Sequence, residues 1–297
     1  MKKMLLRINN LTVQYGNIKA LNITTPITIE KGDRIGIIGS NGAGKSTLIK
    51  SLLGIVNYTG SIDSAITPND MAVHMQFNEY TNSMAVKHIM EAILQTRIKN
   101  NDKLQKLITY FEFEQCLNKK FKVLSGGQKQ RFTIILVMMQ EAPLTFYDEV
   151  TSGLDFETRR KLVDRLVDWY KDKEASLCVV SHYYEELEKL TNKLLIIEQG
   201  QILDFGSKEE LFKKYFGRAI ILIDNNDKNE QLTKKYIRLA APNHLIALAC
   251  DTQETEAEIS NILIVNNINY KRSNNDIEMI FINAKKHNIR VGGTENE

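Results

Sequence analysis

With 297 residues, 43% of them hydrophobic and 25% charged, the chain has the composition of a globular protein with one large domain or two unequal ones. Its formal net charge of +3 comes from scattered lysines rather than a basic block, which gives no reason to expect a nucleic-acid partner. The three cysteines, Cys116, Cys178 and Cys250, are scattered without metal-site spacing and fit a reducing compartment better than a disulfide framework.

The N-terminal part of the chain predicts an antiparallel sheet followed by one buried strand. Apolar residues alternate with polar ones through residues 4–30, as in strands with one covered face. The Lys31-Gly32-Asp33 segment is a turn signal, and the short apolar run at residues 34–38 is typical of a buried parallel strand.

A phosphate-binding loop follows this strand and fits the pattern G-x-x-x-x-G-K-[ST]. Its glycines allow consecutive backbone N–H groups to turn toward phosphate oxygens, Lys45 can reach the β- and γ-phosphates, and the Ser46 hydroxyl can ligate Mg²⁺. Residues 46–54 predict a helix whose N-terminus faces the anion. The motif occupies nine positions: Gly39, Ser40, Asn41, Gly42, Ala43, Gly44, Lys45, Ser46 and Thr47.

The middle of the chain predicts a helical insert at about residues 77–140. A strand at residues 71–76 ends on Gln76, and helical periodicity follows at residues 84–99, 103–113 and 128–140. Pro143 stops the last of these helices before the next strand.

The next segment alternates strands with helices and predicts a three-layer α/β fold. An apolar strand at residues 144–148 ends in the carboxylates Asp148 and Glu149, and a second at residues 176–181 is followed by His182. Helices are predicted at residues 159–171, 185–190 and 208–216, and a hairpin of two strands at residues 194–205.

Gly217 and Arg218 mark a predicted domain boundary. Beyond it, strands at residues 219–223, 245–250 and 268–271 and helices at residues 228–239, 255–265 and 276–285 predict a small α+β domain. No internal repeat is visible, so the chain carries the motifs of one nucleotide site, and the tail after Gly292 is expected to fray.

Taken in order, these motifs resemble the nucleotide-binding subunit of an ABC transporter. The phosphate loop is followed by Leu124-Ser125-Gly126-Gly127-Gln128, which resembles the ABC signature, then by the Asp148-Glu149 pair, Ser152-Gly153-Leu154-Asp155 and Ser181-His182. The resemblance implies an ABC-type P-loop fold at residues 1–217, with an antiparallel β subdomain and the helical insert. Residues 218–297 are then an accessory domain.

The resemblance also implies how the site would work with ATP and Mg²⁺. Glu149, one residue beyond the metal carboxylate Asp148, would be the general base, and His182 would contact the γ-phosphate. Gln76 would touch Mg²⁺ or the attacking water, alongside the metal residues Ser46 and Asp148. Tyr15, 30 residues before Lys45, would stack on adenine, although its position also suits a core residue.

Partners are implied on two sides. Ser125, Gly126, Gly127 and Gln128 would contact the nucleotide of a second ABC ATPase subunit, identical or different, with Asp155 at the same seam. The chain has no run of about 18 apolar residues and no signal-peptide core, so a transmembrane permease subunit is expected on a separate polypeptide, with this chain peripheral at the cytoplasmic face of the membrane.

Three functions remain open for such an ATPase. The accessory domain favours a bacterial drug or peptide exporter, because residues 274–282 are similar to the closing segment of such ATPases, although the acidic order differs. A soluble ABC ATPase acting as a mechanical switch usually carries two cassettes or a basic extension, which are not seen here. An importer usually carries a strand-rich extension, also not seen.

Overall fold

The computed structural model describes residues 3–75 and 80–292, and its first layer is an antiparallel sheet built on one long strand, β1 (Met4–Tyr15). This strand pairs with β2 (Ile18–Ile23), β3 (Ile27–Glu30) and β5 (Thr59–Ser64), all antiparallel. Its alternating burial follows the period of two expected for a sheet with one covered face. The predicted β subdomain is therefore confirmed, with one strand, β5, that the sequence pattern did not reveal.

The second layer is a mostly parallel sheet that carries the phosphate-loop strand at its centre. Its described strands run in the order β10, β9, β4, β8, β7, β6, and only the β9–β10 hairpin pair is antiparallel. Apolar side chains fill both faces of the central strands, as burial between two layers requires. The strands are β4 (Arg34–Ile38), β6 (Met71–His74), β7 (Leu144–Asp148), β8 (Ser176–Val180), β9 (Lys193–Glu198) and β10 (Gln201–Ser207).

Helices complete the predicted three-layer fold. Those of the helical insert pack around the aromatic cluster of Phe111, Phe113, Phe121 and Phe132. The helices up to residue 217 are α1 (Lys45–Leu52), α2 (Val86–Leu94), α3 (Asp102–Tyr110), α4 (Gly126–Met139), α5 (Phe156–Tyr170), α6 (Tyr184–Leu190) and α7 (Lys208–Phe216). None of the helices in the described ranges is both long and apolar enough to cross a bilayer.

The C-terminal segment forms a four-stranded antiparallel sheet in the order β12, β13, β11, β14, with its own small apolar core. Its strands are β11 (Ala219–Asp224), β12 (Arg238–Leu239), β13 (Leu245–Cys250) and β14 (Lys271–Ser273), and its helices are α8 (Asp227–Leu232), α9 (Gln253–Val265) and α10 (Ile277–Gly292).

The predicted bounds of two elements in this segment are wrong. The helix expected at residues 228–239 ends at Leu232, because the chain turns to pair Arg238 and Leu239 with β13. The strand expected at residues 268–271 begins only at Lys271, where it pairs with Leu222 of β11. In both cases tertiary strand pairing overrides the local apolar pattern.

Candidate nucleotide-binding site

The phosphate loop joins β4 to α1 and needs glycine at two positions. Gly44 precedes the first turn of α1 with φ 105°, and a Cβ there would lie 2.6 Å from Leu21 Cδ2. A Cβ on Gly39 would lie 2.1 Å from the carbonyl oxygen of Ile197. The sequence pattern of the loop thus reflects close backbone approach and a left-handed conformation.

Lys45 is buried at the centre of the loop. Its Nζ donates to the carbonyl oxygens of Gly39, at 2.8 Å, and Ser40, at 3.1 Å, so the loop curls around the ammonium group. Burial lowers the pKa of Lys45, and the nearby carboxylates of Glu149 and Asp148 act in the opposite direction. The arrangement places a cation between the α1 N-terminus and two acids.

Ser46 and Asp148 form a candidate Mg²⁺ site. The Ser46 Oγ donates to Asp148 Oδ2 at 2.8 Å, whereas the buried Asp148 Oδ1 has no hydrogen-bond partner among the described residues. Burial raises the pKa of Asp148, and the Ser46 hydrogen bond opposes this shift. Hydroxyl and carboxylate oxygens suit Mg²⁺, which is usually held by one or two carboxylates and by substrate phosphates. Within the ranges that the structure covers, no group of three or more His, Cys, Asp or Glu side chains could hold a metal.

Glu149 and His182 meet at the ends of two neighbouring strands. His182 Nε2 lies 2.9 Å from Glu149 Oε1, and the Glu149 N–H donates to the Val180 carbonyl at 3.0 Å. Glu149 has φ 50°, a left-handed conformation that is uncommon for a residue other than glycine. Such local strain is often found at functional sites, and it turns the chain away from β7 directly after Asp148.

The signature segment lies at the start of α4, where Ser125 and Gln128 form a reciprocal cap. Ser125 Oγ accepts the Gln128 N–H at 3.3 Å, and Gln128 Oε1 accepts the Ser125 N–H at 3.0 Å. Ser125 and Gly126 are exposed. A Cβ on Gly127 would lie 2.8 Å from Thr158 Cγ2, so glycine allows α4 to approach α5 closely.

Asp155 caps the neighbouring helix α5, accepting the Thr158 N–H through Oδ1 at 3.0 Å. This hydrogen bond, the largest cause, lowers the pKa of Asp155. The signature and Asp155 therefore form a second cluster, which is held by contacts between α4 and α5.

Two other predicted site residues have different outcomes. Tyr15 ends β1 with 49% of its surface exposed, so it is not a core residue and its aromatic ring is available for contact. Gln76 lies outside the described residues.

A buried carboxylate that the sequence analysis did not identify, Glu186, connects the two segments that follow β7 and β8. It accepts hydrogen bonds from Thr151 Oγ1, at 2.8 Å to Oε1, and from Ser181 Oγ, at 2.7 Å to Oε2. Arg159 Nε lies 3.7 Å from Glu186 Oε1. Glu186 follows His182 by four residues, but no motif marks it, so only the structure reveals this contact.

Comparison with known proteins finds matches to the part of the chain that holds the site. Residues 24–152 match the family model for ABC transporters. A methionine import ATP-binding protein, MetN of Lactobacillus johnsonii, is 26% identical over 69% of this chain, which spans 65% of that relative's length. The linearmycin resistance ATP-binding protein LnrL of Bacillus subtilis is 24% identical over 96% of this chain and 100% of its own length.

Solved structures agree on the fold. An ATP-binding subunit of an ABC transporter superimposes with a TM-score of 0.62 at 21% identity, covering 71% of this chain and 93% of its own. An ATP-binding cassette solved as a dimer in a post-hydrolysis state, bound to ADP and Pi, gives a TM-score of 0.60 at 21% identity, covering 68% of this chain and 98% of its own.

Proposed function

We propose that this chain, which carries the ATPase domain of the ABC transporter family, binds and hydrolyses ATP to power an exporter of drugs or peptides through a separate transmembrane subunit. The proposed export direction rests on how much of this chain one relative matches. LnrL, whose name records linearmycin resistance, aligns with 96% of this chain, including much of the segment beyond residue 217.

The proposed hydrolysis uses groups that the fold brings together. Lys45 and the amides of the phosphate loop bind the phosphates, and Glu149 orients and deprotonates the attacking water. His182 would contact the γ-phosphate and, at 2.9 Å from Glu149 Oε1, also fix the orientation of that carboxylate. Mg²⁺, held by Ser46 and Asp148, would neutralise phosphate charge when bound with ATP.

The signature is proposed to act on a second subunit. Ser125 and Gly126 are exposed at the N-terminus of a 14-residue helix, where backbone N–H groups and the helix dipole favour an anion. The reciprocal cap between Ser125 and Gln128 fixes the backbone of this helix start before any partner arrives. Asp155, on the neighbouring helix start, would lie at the same interface, and ATP would join the two subunits.

An importer is the second candidate function. Several relatives are methionine import ATP-binding proteins from different bacteria, which match about 70% of this chain. These alignments favour import through the shared ATPase domain and say less about the C-terminal segment.

Two experiments test the proposal. Purified wild-type protein should bind and hydrolyse ATP, whereas Lys45→Ala should lose most of its ATP binding, because the ammonium acts on the bound phosphates directly. Equal binding by both proteins would refute the assigned site.

The direction is tested in the source cell by replacing the wild-type protein with Lys45→Ala. An exporter subunit predicts greater sensitivity to a panel of membrane-active antibiotics and peptides, with normal growth when methionine is limiting. Unchanged antibiotic sensitivity together with a methionine requirement would support the importer and exclude the exporter.

A further inference from the structure

The last helix of the accessory segment, α10, packs against the ATPase domain. Buried apolar residues on α10, among them Ile280 and Ala284, belong to the same core cluster as Phe212 and Phe216 of α7. The small sheet of the segment has its own core, but this helix is shared. Side chains on α10 can therefore reach the nucleotide site.

Lys285 on α10 reaches the phosphate loop itself. Its Nζ donates to Ser40 Oγ at 3.0 Å and to Glu198 Oε1 at 2.9 Å. Glu198 Oε2 in turn accepts the backbone N–H of Ser40 at 3.1 Å. Ser40, the second residue of the loop, is thus held from its side chain by Lys285 and from its backbone by Glu198.

Glu198 introduces a negative charge beside a site that binds phosphates. Burial alone would raise the pKa of Glu198, but hydrogen bonds from Lys285 and Ser40 outweigh it and lower the pKa, so the carboxylate is ionised at neutral pH. The same carboxylate is among those that act on the charge of Lys45. An uncompensated Glu198 would repel ATP, and Lys285 supplies the compensating charge.

We propose that Lys285 is a positioning residue of the nucleotide site, through which the docked accessory helix increases the affinity of the phosphate loop for ATP. Lys285 neutralises Glu198 and holds Ser40, so the loop keeps its shape and its attraction for phosphate. The inference rests on the proposed function, because it concerns the same nucleotide site. Coupling is reciprocal, so bound ATP should also stabilise the docking of α10.

Lys286 provides a matched control on the same helix. It is the next residue, is exposed and carries the same charge. Lys285→Met and Lys286→Met therefore make equal changes in net charge, but only the first removes the contacts to Ser40 and Glu198. Lys285→Arg keeps the charge and tests rescue by a conservative replacement.

The experiment measures ATP affinity by calorimetry and steady-state ATPase parameters for each full-length variant. Lys285→Met should weaken ATP binding and raise KM about tenfold, a typical effect for a partly exposed hydrogen-bonded ion pair, with kcat within about twofold of wild type. Lys286→Met should match wild type, and Lys285→Arg should recover most of the affinity.

Glu198→Gln separates charge compensation from a structural tether. In the Lys285→Met/Glu198→Gln double variant the repelling charge is gone, so affinity should return to within about threefold of wild type. This variant also keeps the test valid if Lys285→Met is unstable, because it contains no unpaired charge.

The possible results have distinct meanings. If wild type binds ATP and Lys285→Met binds it equally well, the positioning role is wrong although the proposed function stands. If the double variant is as weak as Lys285→Met, Lys285 acts as a structural tether and charge compensation is wrong. If wild type itself does not bind ATP, the proposed function fails.

Discussion

Glu186→Leu should destabilise the protein and slow ATP hydrolysis, because this buried carboxylate ties together the two segments that carry the proposed catalytic residues. Glu186 is 4% exposed and accepts hydrogen bonds from the hydroxyl groups of Thr151 and Ser181, which are 1% and 6% exposed. Leucine would leave both hydroxyls without this acceptor.

The expected loss in the free energy of unfolding follows from these contacts. Each buried hydroxyl left unsatisfied costs about 1–3 kcal/mol, which predicts a loss of about 2–6 kcal/mol for two. Burial raises the pKa of Glu186, so the ionised carboxylate carries a desolvation cost that leucine removes, and the net loss should lie near the lower end, about 2 kcal/mol. Ser181 precedes His182 and Thr151 follows Glu149 by two residues, so kcat should also fall about tenfold through misplacement of these groups.

Urea unfolding and steady-state ATPase assays measure the two effects. Glu185→Leu is the control, because Glu185 is the exposed neighbour on the same helix. The reasoning is refuted if Glu186→Leu and Glu185→Leu unfold at the same urea concentration with the same slope, or if both retain wild-type kcat.

Three further predictions concern other parts of the molecule. Ser125→Asp keeps a good helix cap but adds a negative charge where the phosphates of a partner's nucleotide are proposed to bind, so turnover should fall more than about tenfold with an unchanged melting temperature. The uncharged cap Ser125→Asn should stay active, and equal activity of the two variants would contradict the composite site. Tyr15→Ala should weaken ATP binding by about 1–3 kcal/mol in a calorimetric titration if the exposed ring stacks on adenine, and Tyr15→Phe should bind like wild type; no loss with alanine argues against stacking. Burial lowers the pKa of His74 from 6.5 to about 4, so the free energy of unfolding should be at its full value above pH 6.5 and should fall by about 3 kcal/mol as the pH drops toward 4, at 1.36 kcal/mol per pKa unit. A His74→Gln variant with the same pH dependence in urea unfolding would rule this out.

Most of the ATPase domain could be predicted from the sequence because local signals and tertiary structure agree there. Helix α7 begins and ends as predicted, since Ser207 and Glu210 form a capping box at its start and Gly217 follows its end. The strands β4, β7 and β8 were recognisable as short apolar runs, because each is buried on both faces.

The elements that were missed lack such signals. Strand β5 is mostly exposed, and only Ile62 among its six residues is even partly buried, so it shows no hydrophobic alternation. Its existence depends on pairing with β1, more than 40 residues earlier in the chain. The short strand β12 is likewise defined by its partner β13.

The proposed catalytic residues are candidates from the sequence alone, and their proximity follows from strand register. Asp148 pairs with Val180 in the parallel β7–β8 ladder, so the residues that follow, Glu149 and His182, emerge side by side. The contact of Lys285 with Ser40 spans 245 positions and depends on the docking of α10, so no local pattern could predict it.

We propose that this site hydrolyses ATP with Glu149 as general base. Single-turnover hydrolysis of ATP by Glu149→Gln, compared with wild type, tests this most directly. Glutamine keeps the shape of the side chain, so ATP affinity should be retained and ATP-dependent dimers should accumulate. The rate of hydrolysis should fall by about 10²–10⁴-fold. Hydrolysis by Glu149→Gln at a rate near that of wild type, with ATP bound to both proteins, would contradict the assignment of the base.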